Sequence, residues 1–89
     1  LPDSALLLPP FDQDDVARAL DGLRIAPLLR GVRGEPAMDV AAFSQAVVAV
    51  GNLMAAPGSR ILSLDVNPVL VRSRGEGCMA LDGVVFEAE

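Results

Sequence analysis

The chain has 89 residues, of which 52% are hydrophobic, and a formal net charge of −5. This length predicts one small domain over residues 1–89, and the acidic balance argues against a nucleic-acid partner, which would require clustered positive charge. All seven basic residues are arginine and there is no histidine, so the chain contains no phosphate-binding lysine, no histidine general base and no histidine-containing zinc site.

The N-terminal residues predict a short strand and no targeting signal. Leu1 to Ser4 lack the basic region and the initiator methionine of a signal peptide, so we expect a segment of a larger protein. The apolar run Ala5–Leu8 predicts a strand that stops at Pro9 and Pro10. An apolar excess on so small a unit indicates surface that a partner covers. No apolar run is long enough to predict a membrane span.

A first helix is predicted after Asp12, which we expect to be its N-cap. The spacing of Val16, Leu20 and Leu23 gives this helix one apolar face. The acidic run at positions 12–15 resembles a metal cluster, but capping and the helix dipole explain it better.

The connector over residues 25–38 contains glycines and prolines that forbid a long helix. Arg30 and Arg33 within it offer planar donors for a phosphate or a carboxylate, although such arginines are usually only solvated.

A second helix is expected to begin after Asp39 as its cap and to end near Ala56, before Pro57. Its apolar side chains cover so much of its circumference that we expect it to be packed on more than one side.

The remaining residues predict β structure. Residues 60–66 and 68–72 are expected to be extended, residues 73–77 to form a turn, and residues 78–86 to return as the last strand. Cys78, the single cysteine, forms no internal disulfide and indicates a reducing, cytoplasmic compartment. The element order predicts an α+β fold, a two-layer sandwich of a mostly antiparallel sheet with two helices on one face.

The two C-terminal strands carry a candidate metal site. If they form a hairpin in which Val71 opposes Cys78, then Asn67 opposes Asp82, and both offer the oxygen ligands that Mg²⁺ prefers. In that register one core face is also predicted, and a one-residue slip would bury Asp82 in it. This face comprises Leu64, Val66, Leu70, Met79, Leu81 and Val85. The competing interpretation is an ordinary Asn-Pro turn and a solvated aspartate. Pro68 predicts an edge or a bulge at this point.

With these residues established, the chain resembles the C-terminal part of the ATP-grasp domain of NDP-forming acyl-CoA synthetases, a group that includes ADP-forming acetate–CoA ligases and is related to succinyl-CoA synthetase β subunits. The family pattern Glu-Leu-Asp-Ile-Asn-Pro-Leu corresponds to residues 63–69, and Ala-Leu-Asp-Ala corresponds to residues 80–83. The patterns Pro-Leu-Leu-x-Gly-Tyr-Arg-Gly and Leu-Pro-Pro-Leu correspond to residues 27–34 and 8–11. Two departures from these patterns matter, Ser63 and Val32, which replace a glutamate and an aromatic residue.

This resemblance implies that Asn67 and Asp82 coordinate the Mg²⁺ of bound ATP, with Asp65 beside them or in reach of a second metal. Arg33, because of its planar donors, is a further cofactor-binding candidate. It also implies that CoA binds elsewhere, and that the partners are the remaining ATP-grasp and CoA-binding domains, in the same protein or in a second subunit of an oligomer. No catalytic residue is expected in this segment, which we expect to be inactive alone. The full protein is expected to form acyl-CoA, ADP and phosphate from a carboxylic acid, ATP and CoA.

Two alternatives remain open at this point. One is a degenerate ATP-grasp tail that serves as a scaffold, for example in a fused acyltransferase. The other is a free-standing α+β ligand-binding or assembly module without ATP chemistry.

Overall fold

The computed structural model describes residues 2–89. Three helices are followed by two antiparallel two-stranded sheets, so the predicted α+β class with helices on one side of the strands is confirmed. The helices are α1 (Gln13–Asp21), α2 (Ala26–Leu29) and α3 (Val40–Ala55), and the strands are β1 (Ile61–Val66), β2 (Val69–Val71), β3 (Cys78–Ala80) and β4 (Gly83–Glu87). Within the described residues no helix is both long enough and apolar enough to cross a bilayer.

Both predicted caps begin their helices. Asp12 accepts a hydrogen bond from the Asp15 backbone N–H at 2.8 Å, and the Asp15 carboxylate accepts one from the Asp12 N–H at 2.9 Å, which completes a capping box. Asp39 caps α3 by accepting from the Ala42 N–H at 3.1 Å. The first helix ends at Asp21, so the prediction that Leu23 continues its helical face is wrong.

The prediction of a strand at Ala5–Leu8 is also wrong. This segment forms no strand, and its side chains at Leu6 and Leu8 are 85% and 77% exposed. An apolar run becomes a strand only where a second strand supplies its hydrogen-bonding partners, and none of the described strands pairs with it.

Helix α3 is covered on two sides, as expected from its apolar circumference. On one side it contacts α1, where Val16 is 2% exposed. The Phe11 ring packs directly on the helix backbone at Gly51. A side chain at this position would prevent the contact, because its Cβ would lie 2.6 Å from the Phe11 Cζ. On the other side Phe43 lines a crevice with strand side chains from both sheets, which are Leu64, Val66 and Val69.

The predicted core face is only partly correct. Leu64 and Val66 face α3 as expected, but so do Val69 and Val71, whereas Leu70 is exposed. The alternation of side chains therefore shifts by one position where β1 ends and β2 begins. Pro68 lies in this break, where it cannot donate a ladder hydrogen bond. Met79, Leu81 and Val85, also predicted to be in the core, are about half exposed.

The molecule exposes more surface than a compact protein of its mass. Its accessible surface is 6518 Å², whereas a compact 9.3 kDa protein exposes about 5,000 Å². Its extents of 50 × 28 × 23 Å describe an elongated shape. Part of the exposed apolar surface lies on the strand side that faces away from the helices, which we call the outer face: Leu70, Met79, Val84 and Phe86, with Ser63 and Asp65 between them.

Candidate metal and nucleotide site

The hairpin register predicted from the sequence is present in the structure. Val71 pairs with Cys78, and Val69 pairs with Ala80. Counting outward from these pairs, with no residue inserted in either strand, places Val66 opposite Gly83, and this is the pairing found in the second sheet. The register changes only near Ile61, where a bulge interrupts the pairing between β1 and β4. The two sheets are thus one hairpin, broken in its middle at positions 67–68 and 81–82. The predicted single strand over residues 78–86 is therefore wrong, because Leu81 and Asp82 separate β3 from β4.

Asn67 and Asp82 face each other across this break. The Asn67 N–H donates to the Asp82 carbonyl oxygen at 3.1 Å, and the Leu81 N–H donates to the Pro68 carbonyl oxygen at 3.0 Å. The Asn67–Pro68 peptide bond is cis. The break therefore keeps two backbone hydrogen bonds and holds Asn67 and Asp82 in directly opposed positions.

Both side chains are exposed, and neither lines a crevice against the helices. One carboxylate oxygen of Asp82 accepts a hydrogen bond from the Gly83 N–H at 2.8 Å. Its second oxygen and the Asn67 amide oxygen take no side-chain hydrogen bond from residues 2–89, so both are free to accept a ligand.

Asp65 and Arg33 lie in different environments. Asp65 pairs with Val84 in the neighbouring sheet, two residues before Asn67 and on the outer face. Arg33 lies at a separate turn, which closes through a hydrogen bond from the Glu35 N–H to the Val32 carbonyl oxygen at 2.9 Å. It is exposed and has a φ of 54°, the left-handed region that non-glycine residues seldom adopt. Asp65 is therefore close in sequence to the opposed pair, whereas Arg33 belongs to a separate loop.

The donor set fits part of an Mg²⁺ site. Mg²⁺ takes about six oxygen ligands and usually binds through one or two protein groups together with phosphates and waters. An amide oxygen and a carboxylate meet that requirement, and residues 2–89 contain no cluster of three acidic or cysteine side chains that could hold a metal alone. The remaining ligands would have to come from a nucleotide, water or other parts of a larger protein.

The sequence analysis found Asp39 only as a helix cap, but the structure gives it a second role. Its side chain is 8% exposed, and its other carboxylate oxygen accepts the N–H groups of Gly75 and Gly77 at 3.1 and 2.8 Å. The hydrogen bonds from Ala42, Gly77 and Gly75 lower the pKa of Asp39, with Ala42 contributing most. The two glycines of the turn at 73–77 were visible in the sequence, but no local pattern links them to residue 39.

Comparison with known proteins identifies the fold and the family. The family model for the ATP-grasp domain matches residues 1–86. A trans-feruloyl-CoA synthase from an unknown prokaryotic organism is 44% identical over 86 residues, and an ADP-forming 4-hydroxybutyrate–CoA ligase from Nitrosopumilus maritimus is 33% identical over 82 residues. These matches cover 97% and 92% of this chain.

Among solved structures, ACD1 of Candidatus Korarchaeum cryptofilum in complex with coenzyme A superposes with a TM-score of 0.81 at 22% identity, over 96% of this chain and 36% of that one. The chain spans only 12% of the length of the two curated relatives. Because the family model covers nearly every residue, the chain belongs to the ATP-grasp domain family.

Proposed function

We propose that the protein containing this chain is an ADP-forming acyl-CoA synthetase, and that this segment supplies Asn67 and Asp82 as ligands to the Mg²⁺ of bound ATP. The observation that carries the proposal is the opposed pair itself, held by the Asn67 N–H to Asp82 carbonyl hydrogen bond within an ATP-grasp fold. The names of the two curated relatives, a feruloyl-CoA synthase and an ADP-forming 4-hydroxybutyrate–CoA ligase, support the reaction class.

In this proposal the segment contributes to nucleotide binding and not to the choice of acid. The same segment matches relatives named for two different acids, one aromatic and one aliphatic. The chain also lacks the lysine and histidine expected for phosphate clamping and phosphohistidine formation. Those groups, the CoA site and the acid pocket would lie in other domains or in a partner subunit of a cytoplasmic oligomer. The 89 residues alone would therefore form no acyl-CoA.

The proposed chemistry depends on the position of the two oxygens. Mg²⁺, when bound between these ligands and the nucleotide phosphates, would supply charge neutralisation for phosphoryl transfer. Asn67 would contribute a neutral oxygen and Asp82 a charged one, and the hairpin backbone holds the two residues opposite each other. Asp65 on the outer face would add negative charge beside them, and Arg33 would provide a more distant contact to a phosphate or carboxylate.

The test uses the full-length protein with Asn67→Ala and Asp82→Asn variants. We expect each to weaken the apparent Mg²⁺ affinity at least about tenfold and to lower acyl-CoA formation about 100-fold, because Asn67→Ala removes a ligand oxygen and Asp82→Asn replaces a charged ligand by a neutral amide. Matched controls are Asn52→Ala on the exposed side of α3 and Asp14→Asn in the first turn of α1, which should leave both quantities unchanged. ATP binding should be measured by calorimetry across a Mg²⁺ titration, alongside turnover.

The same measurement separates this proposal from the scaffold alternative. A degenerate tail would show unchanged Mg²⁺ dependence and turnover in both variants, and that result would contradict the ligand assignment. The exposed outer face fits either outcome, since a scaffold and a catalytic segment would both be covered by other parts of the protein.

A further inference from the structure

We propose that Asp39 is a positioning residue for the nucleotide site, because its carboxylate fixes the turn that sets the register of Asn67 against Asp82. This inference rests on the function proposed above. Asp39 lies at the closed end of the hairpin, and the opposed pair lies beyond the three residue pairs of β2 and β3.

The two oxygens of the Asp39 carboxylate accept hydrogen bonds from different elements. One oxygen accepts from the Ala42 N–H and so caps α3, which is all that a helix cap requires. The second oxygen leaves the helix and accepts from Gly75 and Gly77. A single buried side chain therefore joins the first turn of α3 to the turn between β2 and β3.

The turn between β2 and β3 has a conformation that suits this contact. Gly75 and Gly77 both have φ near 84°, which allows their N–H groups to point at one oxygen. The Gly77 carbonyl oxygen in turn accepts from the Arg72 N–H at 3.0 Å, and the Arg72 carbonyl oxygen accepts from the Asp39 N–H at 2.7 Å. Side chain and backbone of Asp39 thus hold both sides of the turn.

The turn is connected to the opposed pair through β2 and β3. Only three residue pairs lie between the turn and the break, and in a hairpin the geometry of the turn is one of the determinants of register. A turn held in one conformation fixes which residues of β2 and β3 face each other, beginning with Val71 and Cys78. Because the residue count is unchanged across the break, the same turn determines that Asn67 meets Asp82.

The test separates capping from positioning by comparing the two helix caps in the full-length protein. Asp39→Ser keeps an oxygen for the Ala42 N–H but loses the second oxygen that reaches the turn. Asp12→Ser is the matched control, because Asp12 caps α1 in the same way and has no hydrogen bond to the hairpin. Both variants are studied well below their melting temperatures.

Two readouts are measured. Calorimetric ATP binding across a Mg²⁺ titration should show apparent Mg²⁺ affinity weakened about tenfold in Asp39→Ser and unchanged in Asp12→Ser. Hydrogen exchange should become faster at the Asn67 and Leu81 amides in Asp39→Ser only, since these amides span the break. If Asp39→Ser does not fold, Asp39→Asn is measured in the same way, because its amide keeps one acceptor oxygen.

The proposal is overturned if Asp39→Ser or its substitute keeps the wild-type Mg²⁺ affinity and amide exchange while Asn67→Ala and Asp82→Asn lose affinity. If the two ligand variants themselves keep wild-type affinity, the proposed function fails first and this inference fails with it. Including all four variants in one titration distinguishes the two failures.

Discussion

The two sides of the strand layer differ in what covers them. On the helix side, Val69 and Val71 lie against Phe43 of α3 and are half-buried. On the outer face, Phe86 is 60% exposed and Val84 is 47% exposed, although both are as apolar as the helix-side residues. Composition alone does not decide burial, because a large apolar residue is buried only where a second layer reaches it. The outer face also carries Asp65, so the residue proposed to lie beside the metal ligands is on the uncovered side.

The largest effect should come from removing a ring on the covered side. Phe43→Ala deletes a side chain that lines both crevices between the helices and the strands, and we expect it to lower the free energy of unfolding by about 2–3 kcal/mol. Phe86→Ala removes the same atoms from the outer face and should change the free energy of unfolding by no more than about 0.5 kcal/mol. Urea unfolding of the 89-residue chain followed by circular dichroism measures both values.

Equal losses in the two variants would show that the outer face is covered in the isolated chain, for example by a second copy. In the full-length protein the comparison becomes more informative, because a Phe86→Ala variant that is costly there and neutral in the isolated chain would show that another domain covers this face.

An intermediate effect is expected at the other covered side of α3, where Gly51 meets the Phe11 ring. Ala is favoured over Gly by about 1 kcal/mol in a helix interior, but its Cβ would lie 2.6 Å from the Phe11 Cζ and the ring would have to move. We therefore expect Gly51→Ala to destabilise the chain by about 1–2 kcal/mol. In a Phe11→Ala background the same substitution should stabilise it, and thermal unfolding of the four variants of this cycle measures the change of sign.

If Gly51→Ala stabilised the chain in both backgrounds, the ring would not be packed on this helix. Such a result would remove the N-terminal segment from the covered side and leave α1 as the contact of α3 there.

The features of the fold that depend on residues close in sequence, or on a count of residues along a hairpin, were predictable from the sequence. The caps at Asp12 and Asp39 were predictable because a cap acts within three residues. The pairing of Asn67 with Asp82 was predictable because a hairpin register follows from a residue count. Its break was only partly predictable, since Pro68 predicts an edge or a bulge but not the shift in alternation that turns Leu70 outward.

Features that depend on distant residues were missed. The strand prediction at Ala5–Leu8 was wrong because a strand requires a partner that the run itself does not specify. The second role of Asp39 depends on residues 36 and 38 positions away in the sequence, and no periodicity connects them. The proposed ligands themselves came from residue chemistry combined with the register, and their role remains a prediction.

The smallest expected effect lies on α3 itself. Ser44 is 2% exposed, and its hydroxyl oxygen has no hydrogen-bond partner among residues 2–89. A buried hydroxyl without a partner loses its hydration and gains nothing in return, and Ala is also the better helix former. We expect Ser44→Ala to raise the free energy of unfolding by about 0.5–1 kcal/mol. Its control is Gln45→Ala, the exposed neighbour on the same helix, which changes helix propensity without changing buried polarity. A loss of stability in Ser44→Ala, with Gln45→Ala neutral, would mean that a buried water hydrogen-bonds the Ser44 hydroxyl, and this covered side would then be less dry than the packing indicates.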